Sequence, residues 1–416
     1  MENDFERVVV LGLGYIGLPT AAVIASRGID VIGIDVNQKA VDTINEGNIH
    51  IVEPDLDIIV KSAVTTGKLR ATTSIEKGDA FLIAVPTPFS SGHKPDLSYI
   101  EQVAKTIAPV LEKGNLVILE STVPVGTTEK LSGWISEERP DLYLPLDSNS
   151  TPDIHFAHCP ERVLPGYVLQ ELVSNDRIIG GLTKSSAERA AELYRTFVRG
   201  KRIITTARAA ELSKLTENAY RDVNIAFANE MSMICESLEI DVWELINLAN
   251  HHPRVEILQP GPGVGGHCIA VDPWFIVDSA PDLSPLIRTA RGVNNAKPDY
   301  IFDKIKARAT RFKQPNIACF GLAFKSNIDD LRQSPAMAIA LNLAESDLGS
   351  LYLVEPNIDS LPTSFSDHAH VQLATISEAL EVADIIVGLV DHTEFTEIGS
   401  DKLKEKIVID TRGMWS

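Results

Sequence analysis

One cysteine stands in a setting suited to chemistry. Cys268 lies in GPGVGGHCIAVDP, with Asp272 four residues further on. The glycines permit unusual backbone geometry and close approach by a ligand. A thiol can capture an aldehyde as a thiohemiacetal, which loses hydride to become a thioester that water opens. That chemistry needs a hydride acceptor, and the start of the chain offers a place for one. Gly12, Gly14 and Gly17 form G-L-G-Y-I-G directly after the apolar run Val8–Leu11, with Tyr15 and Ile16 inside the motif. The first glycine permits a tight turn, the second lets a pyrophosphate approach the backbone, and the third lets helix and strand pack closely. The pyrophosphate then sits at a helix N-terminus, where free N–H groups and the dipole favour negative charge. Asp35 closes the second strand, IGIDV, 18 residues past Gly17. It would accept the ribose hydroxyls and repel a 2′-phosphate, which predicts NAD rather than NADP. Thr87 in AVPTP and Thr122 in ESTVPVGTT follow later strands and fall at the carboxyl edge of the sheet, where ligands bind.

Other candidates are weaker taken singly. Lys214 and Asn218 are four residues apart on a helical pattern and share a face, with Arg221 close to it. Such a pair could donate to a developing oxyanion; a solvated helix face is an equal reading. Glu161 in HCPERVLPG could act as a base or hold a water, and is otherwise a surface carboxylate. Arg254, Lys325 and Arg332 are plausible diphosphate contacts in a chain this acidic, and are otherwise surface charges. His251, His252 and His267 have no H-x-x-x-H or Cys/His spacing, so no metal is expected. Cys235 and Cys319 read as small core residues, and Cys159 as structural.

These residues must be positioned by a chain of 416 residues, enough for two or three domains. Its 38 Lys+Arg against 57 Asp+Glu leave a formal charge of −19, which argues against a nucleic-acid binder. The opening MENDFERVVV has no basic segment followed by a long apolar run, and no uncharged apolar stretch approaches the roughly 20 residues that span a bilayer. No secretory signal or membrane association is therefore expected, and a reducing cytoplasm is the default location. Short apolar runs alternate with helical patterns. Val8–Leu11, Val31–Ile34, Phe81–Val85 and Leu116–Leu119 read as buried parallel strands, with helices such as Leu18–Ser26 and Ile100–Leu111 between them. Leu142–Asp153 reads as a loop. From about Ala209 to Ile240 no Gly or Pro occurs, which predicts one long helix whose exposed apolar residues could form a subunit interface. After Pro298 a second alternation begins, with strands at Ile317–Phe320, Leu351–Val354, Ile385–Val390 and Ile407–Ile409. It has no second G-x-G-x-x-G. The expected fold is α/β: two Rossmann-like doubly wound parallel-sheet domains, over 1–205 and 301–416, joined by a central helical domain over 206–300 with one long helix.

The motifs GLGYIGLP, AVPTP, ESTVPVGTT, CPERVLPG, KLTENAYRDVNIAFANE, GPGVGGHCIAVDPWF and FGLAFKSNIDDLRQSP occur in this order. From roughly Val8 to Asp410 the chain resembles the UDP-glucose/GDP-mannose dehydrogenase family, enzymes that oxidise a hexose C6 alcohol to a uronic acid. The resemblance implies that Cys268 is the nucleophile. It makes Lys214 and Asn218 the oxyanion stabilisers, and gives Asp272, Glu161 and Thr122 the base and water steps. It implies that Arg162, Val163, Arg221, His252, Arg254, Gly265 and Lys325, with Lys214 and Asn218, line the UDP-sugar site. Thr128 and Arg332 join the NAD contacts, a homodimer forms through the central helix, and the C-terminal domain holds the nucleotide. UDP-glucose-specific members usually carry Lys three residues after the cysteine, where this chain has Val271; His267 precedes the cysteine, and Ala270 replaces a usual proline. This favours the N-acetylhexosamine branch. UDP-N-acetyl-D-mannosamine is the expected substrate, and enterobacterial common antigen or another surface polysaccharide the expected destination. UDP-N-acetylglucosamine or UDP-glucose as substrate, a single-step hydroxyacid dehydrogenase, and a non-catalytic nucleotide-sugar sensor remain open on sequence.

Overall fold

The computed structural model describes residues 5–89, 94–144, 151–164, 166–266 and 268–415. His267 and part of the expected 142–153 loop lie outside them. The chain divides into two compact units. Unit 1 holds residues 1–217 and 274–280; unit 2 holds 218–273 and 281–416.

Unit 1 is built on eight strands: β1 (Arg7–Leu11), β2 (Asp30–Ile34), β3 (Leu69–Thr72), β4 (Ala80–Ile83), β5 (Leu116–Leu119), β6 (His155–His158), β7 (Arg177–Gly181) and β8 (Arg202–Thr206). Their order in the sheet is 3-2-1-4-5-6-7-8. The first six are all parallel in the 3-2-1-4-5-6 order of a dinucleotide-binding sheet. β7 then runs antiparallel to β6, and β8 parallel to β7. The core explains why these runs are continuously apolar. Val8 and Val10 pack into one buried cluster, while Val9 and Leu11 pack into another. Successive side chains point to opposite faces, so a strand with both faces covered must be apolar at every position.

Unit 2 carries a five-stranded parallel sheet: β9 (Asn316–Phe320), β10 (Ser350–Val354), β11 (Val371–Leu373), β12 (Ile385–Gly388) and β13 (Ile407–Asp410), in the order 11-10-9-12-13. The same alternation holds. Ile317 and Cys319 belong to one core cluster, Ala318 and Phe320 to another.

The long helix spans Ala207–Ser237, with residues to Glu217 in unit 1 and the rest in unit 2. It ends earlier than its composition suggests. Glu239 adopts φ 57°, and the Ile240 N–H closes back onto the Cys235 carbonyl at 2.9 Å. This left-handed closure satisfies the last carbonyls without a glycine. Within unit 2 the helix is pinned to Pro285–Ala309, which runs through Pro298. Arg291, 2% exposed, donates to Asp222 Oδ1 at 2.5 Å, and Asn294 donates to the same oxygen at 2.8 Å. Two helical turns on, Asn229 donates to Asn294 Oδ1 and accepts from the Gly261 N–H, both at 2.9 Å. A buried charge must be paired and hydrogen-bonded to be tolerated. Here the pairing also anchors the start of the loop that leads to Cys268.

Candidate active site

In unit 1 the glycine turn is dictated by close approach. Gly12 has φ +88°, and a Cβ there would lie 2.6 Å from the Ala84 carbonyl oxygen. A Cβ on Gly17 would lie 1.8 Å from the Gly12 oxygen, so the helix Gly17–Ala25 can only start here without a side chain. Gly14 differs: no atom lies within 4 Å of its would-be Cβ. That open backbone beside a helix N-terminus fits a pyrophosphate. Tyr15 is half exposed and Ile16 precedes the helix. Asp35 Oδ2 accepts the Leu13 N–H and Oδ1 the Asn37 N–H, each at 2.9 Å. Each oxygen keeps a second lone pair for a ribose hydroxyl. The Thr87 hydroxyl donates to the Thr122 carbonyl at 2.6 Å, tying the loops after β4 and β5. Thr128 is buried, and its hydroxyl and N–H both donate to Glu211 Oε1, at 2.6 and 2.8 Å.

Glu161, also in unit 1, is buried with both oxygens engaged. Oε2 accepts from Arg177 at 2.5 Å and Oε1 from the Arg162 N–H at 2.6 Å. The Arg162 guanidinium pairs with Glu217 at 2.7 Å and donates to the Asp176 carbonyl at 2.6 Å. Val163 packs against the core, and Lys214 is half-buried on the long helix.

In unit 2 Cys268 is exposed and in no disulfide, whereas Cys159, Cys235 and Cys319 are buried. Burial alone pushes the Cys319 thiol up to about 12, out of reach of thiolate chemistry at neutral pH. The Cys268 carbonyl accepts the N–H groups of Val271 and Asp272, at 3.0 and 2.9 Å, which turns the chain into the helix Asp272–Ser279. Asp272 is 2% exposed, and its Oδ2 accepts from Asn218 Nδ2 at 2.5 Å. The structure therefore joins Cys268, Asp272 and Asn218. The Asn218 amide has two N–H donors, so one is left for a substrate oxygen. Gly265 is a packing requirement: its Cβ would meet the Gln333 carbonyl oxygen at 2.5 Å. Arg221, His252 and Arg254 are exposed, with the Arg254 N–H donating to His252 Nδ1 at 3.3 Å.

A cleft of about 290 Å³ in unit 2 is lined by Gly263, Phe324, Lys325, Pro335, Asp391 and Arg412. Arg412 pairs with Asp391 at 2.8 Å. It was not singled out from sequence, although DTRG just past an apolar strand was the available signal. Arg332, exposed, pairs with Asp330 at 2.8 Å. No helix among the described residues is long and apolar enough to cross a membrane.

The glycine turn, the acidic strand end and the exposed thiol define a dinucleotide-dependent dehydrogenase, and the comparisons give its family. Models of the UDP-glucose/GDP-mannose dehydrogenase family match in series: the NAD binding domain over 6–198, the central domain over 208–296 and the UDP binding domain over 318–416. The chain belongs to this family of nucleotide-sugar dehydrogenases, with NAD as its cofactor and a UDP-binding domain at its C-terminal end. It is 62% identical over 416 residues to the NDP-N-acetyl-D-galactosaminuronic acid dehydrogenase of Ralstonia nicotianae, covering 100% of this chain and 98% of the relative. It is 58% identical over 402 residues to the UDP-N-acetyl-D-mannosamine dehydrogenase of Campylobacter jejuni, covering 96% and 99%. The solved UDP-N-acetyl-mannosamine dehydrogenase of S. aureus superposes with a TM-score of 0.86 at 40% identity, over 98% of this chain and 95% of that one.

The two glycines should separate by readout. Gly14→Ala, with open space around it, should leave the melting temperature unchanged and raise KM for NAD about tenfold, a loss of about 1.4 kcal/mol of binding. Gly17→Ala should lower the melting temperature by about 4 °C or more, because 1 kcal/mol already moves a domain of this size by a few degrees. Thermal melts and NADH kinetics check both; a destabilised Gly14→Ala with normal KM would contradict the assignment.

Proposed function

We propose that this chain oxidises C6 of UDP-N-acetyl-D-mannosamine to the carboxylate in two successive steps. The sugar alcohol, two NAD and water become the uronate, two NADH and protons. The observation that carries this reading is the exposed Cys268 thiol in a turn ended by buried Asp272, itself bonded to Asn218. NAD, when bound, supplies the hydride-accepting nicotinamide for both oxidations. The chain's own residues do the rest. Lys214 and Asn218 donate to the alkoxide and then to the thiohemiacetal oxyanion. The Cys268 sulfur bonds to the aldehyde carbon to give the thiohemiacetal; once that has lost the second hydride, the thioester is opened by a water held by Glu161 and Thr122, with Asp272 taking protons. Gly12, Gly14, Tyr15, Ile16, Gly17, Asp35, Thr87, Thr128 and Arg332 serve NAD. Arg162, Val163, Arg221, His252, Arg254 and Gly265 serve the sugar nucleotide, with Lys325 and Arg412 on its diphosphate. The uronate would serve a surface polysaccharide, of which enterobacterial common antigen is one.

A second reading has its own support. The Ralstonia relative is named for an N-acetyl-D-galactosaminuronic acid, so an N-acetylhexosamine with another hydroxyl configuration is the alternative substrate. A panel of UDP-sugars should give two NADH per sugar, fastest with UDP-N-acetyl-D-mannosamine. A stoichiometry of one would reject the two-step chemistry, and faster turnover of the galacto sugar would transfer the assignment.

The same proposal includes a homodimer. On the long helix Tyr220, Phe227 and Ile234 recur every seven residues and are 72%, 53% and 41% exposed. Residues seven apart share a helix face, and exposed apolar side chains repeated along one face support an interface there. Phe227→Glu should halve the mass measured by light scattering; an unchanged mass would remove this face from the interface.

A further inference from the structure

Around Glu161 in unit 1 lie four polar side chains that the proposed reaction does not use. Glu120 follows β5, Cys159 and Glu161 follow β6, Arg177 opens β7, and Tyr194 comes from the helix Lys184–Arg195. All five are buried. Arg177 donates to Glu161 Oε2 at 2.5 Å, and its guanidinium carbon lies 5.6 Å from the Tyr194 ring centre. The Tyr194 hydroxyl donates to Glu120 Oε1. Glu120 Oε2 is buried with no hydrogen-bond partner among the described residues. The groups facing Glu120 are thus one cation, Arg177, one second carboxylate, Glu161, and the neutral Tyr194 and Cys159. Two buried carboxylates around one guanidinium leave one negative charge uncompensated when both are ionised, and a like charge at close range disfavours that state. Burial first, and then the Glu161 charge, push Glu120 up to about 7.

We propose that Glu120 is a positioning residue acting through Arg177: while Glu120 holds its proton the guanidinium serves Glu161 alone, and when that proton leaves the guanidinium is shared and Glu161 draws a proton from substrate or water more strongly. The inference rests on the reading above that Glu161 meets the substrate or its water. No atom is transferred to Glu120 during turnover; it gains or loses one proton to solvent, and its charge alters the field at Glu161. Stability follows the same proton. A carboxyl whose folded value is raised above its unfolded one binds more protons when native, so stability is full below the unfolded value near 4.5 and declines as pH rises toward about 7.

The test combines two readouts on the whole enzyme. Infrared spectra of the wild type should show the carbonyl band of a buried protonated acid at about pH 6 that fades by about pH 8; Glu120→Gln should lack it, and Glu161→Gln should lose it at lower pH. In kinetics, wild-type kcat/KM should rise at least about threefold through neutral pH, as expected when a base strengthens. Glu120→Gln should lack that rise, and its melting temperature should fall less between the two pH values. A band or a kinetic rise that persists in Glu120→Gln overturns the inference. Should Glu120→Gln fail to fold, a wild-type band that ignores pH over this range overturns it equally. The reading of Glu161 is judged apart: Glu161→Gln turning over at the wild-type rate overturns that reading and this inference with it. A Glu161→Gln about a hundredfold slower beside an unaltered kinetic rise in Glu120→Gln overturns the inference alone.

Discussion

The hydrogen bond from the Asn218 amide to the buried Asp272 carboxylate is the contact on which the reactive end of unit 2 turns. It joins the middle of the long helix to the turn that carries Cys268, two segments 54 residues apart. A buried carboxylate needs partners, and the Asn218 amide is one of them. The consequence is a cysteine held in a bonded turn at an exposed position. Asn229, held by Asn294 and holding Gly261, steadies the other end of the same loop.

Both sheets use one device to shape the loop after their first strand. In unit 1 Asp35, just past β2, accepts the N–H of Leu13 in the glycine turn. In unit 2 Glu355, just past β10, accepts the N–H groups of Leu322 and Ala323, at 2.8 and 3.1 Å. The environments then diverge. Asp35 is half-buried, with lone pairs left for a ribose. Glu355 is buried and committed inward, to His392 at 3.1 Å and to the Asn357 amide at 3.1 Å. The His392 Nδ1 in turn accepts the Asn327 N–H at 2.9 Å, in the segment that follows Lys325. The same skeleton thus presents a cofactor edge in one unit and a closed, self-bonded turn in the other. This agrees with an NAD binding match at one end of the chain and a UDP binding match at the other.

Much of the frame was legible in the sequence, because strands buried on both faces must be apolar throughout. Val31–Ile34, Leu116–Leu119 and Ile317–Phe320 reappear as strands within one residue. The strands Leu69–Thr72, Arg177–Gly181 and Arg202–Thr206 escaped notice. They are short, two of them begin with arginine, and Ile203 and Ile204 are half exposed, so no apolar run announces them. Cys268 and the glycine turn were legible because their chemistry is local. The cluster of Glu120, Arg177 and Tyr194 was not, since Tyr194 and Glu120 lie 74 residues apart and only the packing of a helix under the sheet brings them together. Arg412 escaped for the same reason, as its cleft is shared by segments from Pro262 to Val390.

The role of the one exposed cysteine is tested most directly by a single turnover of Cys268→Ser with NAD and UDP-N-acetyl-D-mannosamine. The account predicts that NAD still binds, that oxidation halts at the aldehyde level, and that no uronate forms. Uronate appearing at the wild-type rate in that variant would contradict it.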